Sequence, residues 1–186
     1  MHSPKVLRHA RACVFVLLIG LVTSTGTASA YAGQLGLAVA SGYSGIASNT
    51  VLPAHGLALS VAAAYGIDDT FEVRLRGTWA VHPDAAGALH RFAPGVELVY
   101  LLDILEFVPL FGVGLDAPFS WSPESATAPW WVDAAAHGLL GLDWLPSRGW
   151  SVGVEVRPYV LFTEWSGDRG VVWVTADLRF QWLVDL

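Results

Sequence analysis

Apolar and polar residues alternate along this chain with a period of two. From Leu57 to Ile67, the residues Leu57, Leu59, Val61, Ala63, Tyr65 and Ile67 share one face of an extended chain. Ala58, Ser60, Ala62, Ala64 and Gly66 share the other. Beyond a turn at Asp68-Asp69, Phe71, Val73, Leu75, Trp79 and Val81 alternate with Glu72, Arg74, Arg76, Thr78 and His82. Successive side chains of a strand point to opposite faces, so the two runs predict a hairpin. The polarity is inverted for a water-soluble sheet. The bulky apolar face is continuous and the other is small or charged, as expected where the apolar face meets lipid.

The same pattern marks eight segments: 34–43, 57–67, 71–82, 92–102, 107–117, 132–144, 150–162 and 172–186. In the seventh, Val152, Val154, Val156 and Val160 oppose Ser151, Gly153, Glu155, Arg157 and Tyr159. In the eighth, Val174, Leu178, Phe180, Trp182 and Val184 oppose Thr175, Asp177, Arg179 and Gln181. Short connections (68–69, 103–106, 145–149) alternate with longer ones rich in Gly, Pro, Ser and Ala (44–53, 83–91, 118–131, 163–170). Transmembrane barrels have short turns on the periplasmic side and long loops outside, which puts both termini in the periplasm here. Aromatic residues form two groups. Tyr65, Phe71, Tyr100, Phe107, Trp144, Trp150 and Trp182 lie near the short turns, and Tyr43, Trp79, Phe92, Trp130, Trp131, Phe162 and Trp165 near the long loops. Two girdles at the two bilayer interfaces are the expected arrangement. Two alternatives stand beside this reading: the rings as the core of a soluble β-sandwich, and residues 97–108 and 133–144 as amphipathic helices, since Leu and Ala favour helix. The predicted fold is all-β, an eight-stranded antiparallel up-and-down transmembrane barrel.

The first thirty residues stand apart from this pattern. Lys5, Arg8 and Arg11 precede an apolar run at 12–22, and Ala28-Ser29-Ala30 has the A-x-A form of a signal-peptidase site. The run is about half the roughly 20 residues a spanning helix needs. Residues 1–30 therefore read as a signal peptide cleaved after Ala30, and 31–186 as one barrel domain. Removal of the leader takes the net charge from −6 to −9 and removes the single cysteine, Cys13. The remaining seven arginines and sixteen acids exclude a basic nucleic-acid surface, and no thiol chemistry is left. A mean hydropathy of +0.50 without a helical span fits apolar residues dispersed at alternate positions.

The segment Tyr100-Leu101-Leu102-Asp103 through Phe107-Val108-Pro109, then Phe111-Gly112-Val113-Gly114, resembles a central hairpin of small bacterial outer-membrane β-barrels of the OmpA/OmpX/OmpW-like class. Leu178, Phe180, Trp182, Val184 and Leu186 resemble the terminal-strand signal of such proteins, ending on Leu where Phe or Trp is usual. The resemblance implies an outer-membrane location, contact with outer-membrane lipid, recognition by barrel-assembly machinery and a monomer.

Alternation points Glu72, Arg74, Arg76, Glu97, Asp116, Asp133, His137, Glu155, Arg157, Asp177 and Arg179 into the lumen. An eight-stranded interior is just wide enough for side chains to fill it. Buried charges need partners, so Arg–carboxylate pairs forming a plug are expected, with a structural or envelope-integrity role. A narrow channel or small-solute binding is the alternative. A second alternative is an outer-leaflet lipid-modifying enzyme drawing on His55, His82 or His90 with Ser41, Ser44 or Ser60. No nucleophile motif supports it, and a non-enzymatic protein without cofactor is expected. His82, His90 and Asp84 match no established metal-ligand spacing. Trp121, Trp130, Trp131 and Trp165 either bind a ligand at the loops or extend the outer girdle.

Overall fold

The computed structural model describes residues 32–47, 54–84, 87–102, 106–122, 130–147, 149–162 and 172–186. The expected leader, its cleavage site after Ala30 and Trp165 lie outside them. Among the described residues there are ten strands: β1 (Gln34–Ala47), β2 (His55–Gly66), β3 (Phe71–Asp84), β4 (Gly87–Leu101), β5 (Phe107–Asp116), β6 (Phe119–Trp121), β7 (Trp130–Val132), β8 (Ala135–Ser147), β9 (Trp150–Leu161) and β10 (Val172–Asp185). β6 continues β5 and β7 leads into β8, so the ten make eight staves. Every neighbouring pair is antiparallel, β1 pairs with β10, and β3 with β4 completes a closed barrel. Residues 97–101 and 135–144 are extended rather than helical.

The pairing register fixes the shape. From Val160 the partners run through Ala136, Leu115, Val96, Leu75, Ala63, Leu37 and Trp182 to Trp150. The circuit returns to β9 ten residues from where it began. With about 3.3 Å per residue and about 4.8 Å between strands, that stagger tilts the staves by about 40°.

Several expected boundaries differ. β1 runs on to Ala47 instead of ending at Tyr43. β3 reaches Asp84 and β4 begins at Gly87, so the connection expected at 83–91 is a tight hairpin. Gly87 has a φ of 141°, a conformation that side-chain-bearing residues rarely adopt and glycine reaches freely. The segments expected at 107–117 and 132–144 are interrupted at Ala117-Pro118 and Asp133-Ala134 and extended by the β6–β7 hairpin. Pro118 and, on β4, Pro94 have no N–H to give to a ladder, and β4 exchanges β5 for β6 as its partner there.

Outside, the wall is apolar: Leu59, Val61, Leu75, Val96, Val113, Leu140, Val154 and Leu178 are all exposed. Inside, the β1–β2 wall carries only small groups from Gly36 to Ser44 and from Gly56 to Gly66, among them Ala38, Ala40, Ala58, Ser60 and Ala64, all buried. The first and last strands meet tightly along this wall. A methyl group at Gly42 would stand 1.9 Å from the Ala176 carbonyl oxygen.

Candidate functional site

The lumen is filled in three layers. Towards the short turns, Val99, Leu101, Val108, Leu110 and Leu139 form one buried apolar cluster, with Leu145 and Leu183 against it. Towards the other end, Ile46, Leu89, Tyr159, Leu161 and Trp173 join Ala58, Ala80, Ala93 and Ala135 in a second. Between them lie the charges.

Glu97 is the hub of that middle layer. Its Oε1 accepts from Arg157 Nε (2.7 Å), Arg76 Nη1 (3.3 Å) and His137 Nε2 (3.1 Å), and Oε2 accepts from Arg157 Nη2 (3.4 Å). Glu155 is the second hub, accepting from Arg74 Nη1 and Arg157 Nη2 at 2.7 Å each, with Arg179 Nε 3.1 Å away. Glu72 accepts from Arg74, and Asp143 accepts from Arg179 and from Ser151 (3.3 Å). Asp177 lies 3.6 Å from Arg76 and 3.7 Å from Arg157. His137 stands between Glu97 and Asp116, with Nδ1 2.5 Å from Asp116 Oδ2. Only an imidazolium, with an N–H on each ring nitrogen, donates to both. Arg76 also donates to Tyr159 Oη (2.6 Å) and to Ser60 (3.1 Å), tying the charged layer to the apolar layer above and to the small wall. That wall leaves space for the guanidinium groups of Arg74, Arg76, Arg157 and Arg179. Beside them remains a cavity of about 10 Å³, room for a single water.

Ten of the eleven expected lumen residues belong to this one network. The eleventh, Asp133, is buried nearer the long-loop end, between β7 and β8. Asp143 was absent from the expected set although it shares its parity. Arg91 was missed because β4 was expected to begin at Phe92. It is buried, donates to Ser120 (2.9 Å) and lies 5.3 Å from the Trp173 ring. The three layers themselves were not anticipated. The signal was the switch, along single inward faces, from Glu97 to Val99 and Leu101, and from Tyr159 to Leu161.

The serine and histidine candidates scatter. Ser44 and His82 do meet, with Ser44 Oγ and His82 Nε2 3.0 Å apart, but both are fully buried in the lumen and Trp173 Nε1 donates to the same Ser44 oxygen (2.7 Å). Ser60 faces Thr78. Ser41 points outwards, His55 shares a hydrogen bond with Tyr43 on the exterior, and His90 is stacked between Trp79 and Trp121. His82 and His90 thus lie on opposite faces of the barrel wall and cannot share a metal ion.

The aromatic groups are outward, with one correction. Trp144, Trp150, Phe180 and Trp182 form a continuous series of ring contacts near the short turns. Trp79, Phe92, Phe119 and Trp130 are exposed near the other end, whereas Trp131, expected in the outer group, packs inwards against the upper apolar layer.

No family model and no curated protein matches the sequence. Solved structures do match the fold. Neisserial surface protein A aligns over 87% of this chain and all of its own, with a TM-score of 0.66 at 14% identity. The N-terminal β-barrel domain of OprF from Pseudomonas aeruginosa aligns over 82% of this chain and 98% of its own (TM-score 0.59, 11% identity). The outer membrane protein OprG from the same organism covers 84% and 98% (TM-score 0.56, 13% identity). Closure, strand count, antiparallel order and outward apolar face agree with these relatives in shape, and the chain has the fold of the small eight-stranded bacterial outer-membrane barrels.

Proposed function

We propose that this protein is an integral outer-membrane protein whose barrel is a sealed scaffold, non-enzymatic and monomeric, with a structural role in the envelope. The observation that carries the reading is the layered lumen: a paired charge network enclosed by apolar side chains at both ends. An ion crossing it would have to leave water twice and displace salt bridges once, and each unpaired charge in such a site is strongly unfavourable. The inverted polarity of the wall supports membrane residence, and the leader expected at 1–30 supports export. Contact with outer-membrane lipid follows from the exterior. Recognition by assembly machinery through β10 accords with the outward series Leu178, Trp182 and Val184. The Ser44–His82 pair supports no lipid chemistry, because it faces a closed lumen.

Two measurements test the proposal. Detergent-solubilised protein is expected to migrate differently before and after boiling, as folded barrels do; identical migration counts against the barrel in the membrane. Purified protein in a planar bilayer is expected to be silent. Discrete single-channel steps would replace the scaffold with a narrow channel.

A further inference from the structure

The charged layer leaves a gap beneath the small wall. The cavity of about 10 Å³ is bounded by Ala40, Ser60 and Ala62 on the β1–β2 side and by Arg74, Arg179 and Glu155 on the other. Ala40 is the cross-strand partner of both Arg179 and Ser60, and Ala62 that of Arg76. Arg74 and Arg179 come from β3 and β10, the strands that flank β1 and β2. Both are buried, and each has an N–H without a hydrogen bond among the described residues. Arg74 donates through Nε to Glu72 and through Nη1 to Glu155, which leaves Nη2. Arg179 donates through Nη2 to Asp143, and its Nε, although 3.1 Å from Glu155 Oε1, is not aligned for a hydrogen bond with it. A buried donor without an acceptor is destabilising, so both N–H groups call for one.

We propose that this cavity is a structural water site, in which one water accepts from Arg74 Nη2 and Arg179 Nε and donates to Glu155. The water bridges β3 and β10 across two strands whose inward residues at this level, Ala40, Ser60 and Ala62, are too short to do so. Volume and hydrogen-bonding capacity together select water. A cavity of about 10 Å³ holds one, and a buried water needs about two to four polar partners, which the two arginines and Glu155 supply. A carboxylate oxygen accepts more than one hydrogen bond, so Glu155 takes an O–H in addition to its arginines. A halide ion is larger, has no hydrogen to give, and would lie against the Glu155 carboxylate. The site needs only the lumen as described, whatever the barrel does in the envelope.

A crystal structure of the protein purified from membranes in detergent, grown with sodium bromide and at a resolution that shows ordered waters, tests this directly. A single density peak is expected within hydrogen-bond distance of Arg74 Nη2, Arg179 Nε and Glu155, without anomalous signal at the bromine edge. A cavity without density overturns the site, and an anomalous peak there overturns the choice of water by showing an anion. Ala40→Ser places one oxygen, about the size of the water, beside Arg179. In that variant the peak is expected to be lost and the serine Oγ to accept from Arg179 Nε. The urea midpoint is expected to stay level or rise, because the hydrogen bonds of the displaced water are reproduced. A water peak that persists unchanged in the variant overturns the bridge. Ala62→Ser, from the neighbouring strand, gives the same readout if Ala40→Ser does not fold.

Discussion

A single carboxylate, Glu97, gathers donors from three other strands. Breaking a buried pair by removing one partner costs about 3–5 kcal/mol, because the remaining charges stay buried. Arg76 would keep Tyr159 and Ser60, and Arg157 would keep Glu155. Glu97→Gln is therefore expected at the lower end, about 3 kcal/mol, measured by urea unfolding of protein folded into lipid vesicles. A loss below about 1 kcal/mol would mean that the network contributes little to stability. At this scale the sequence was highly legible. Strict alternation alone assigns Glu72, Arg74, Arg76, Glu155, Arg157, Asp177 and Arg179 to the inside. Partners were not legible, since Arg74 meets Glu155 across 81 positions of sequence and only closure brings them together.

At the scale of the strand, the outward and inward faces respond to charge in opposite ways. Leu59→Arg and Val154→Arg each place a cation on the apolar exterior, where the penalty at mid-bilayer is about 2–4 kcal/mol. Each is expected to reduce the folded, heat-modifiable fraction after refolding into vesicles, and water-soluble folded variants would contradict the lipid-facing assignment. The turn between β3 and β4 offers a second check. Gly87→Ala forces a side chain into an unfavourable backbone region at about 1–3 kcal/mol, and a lowered unfolding midpoint with an intact barrel is expected. The strand ends were the least legible feature. Polar and small residues at 83–91 look like a loop by composition, yet a single glycine lets the two strands continue almost to each other. The proline at 118 hid the continuation of β5 into β6 for a related reason. It lacks the N–H that a strand residue supplies, and the register of β4 passes from β5 to β6 across it.

For the whole molecule, the proposed scaffold makes the two apolar layers and the charged layer between them seals in series. Trp173→Ala should thin the upper layer and Leu110→Ala the lower one, each at about 2–5 kcal/mol of stability. Neither is expected to produce conductance in a planar bilayer, because the other layer and the salt bridges remain. Channel activity from either single variant would show that one layer alone closes the barrel. The composition and hydropathy of the chain announced a membrane barrel, but the order of the seals depends on the ten-residue stagger. That stagger decides which inward residues of distant strands share a level.

The small-residue wall also bears on how the barrel is completed. β1 and β10 are far apart in the chain and join over fourteen residue pairs, so theirs is the contact with the largest loop to close. β10 arrives at that joint carrying Asp177, Arg179 and Gln181 on its inner side, whereas β1 presents glycine and alanine over much of its length. The charged groups can settle among β3, β4, β8 and β9 while the sheet is still open, and β1 can then slide alongside without any long side chain having to pass another. The joint behaves as a zipper with one smooth edge, able to shut last over an interior that is already arranged.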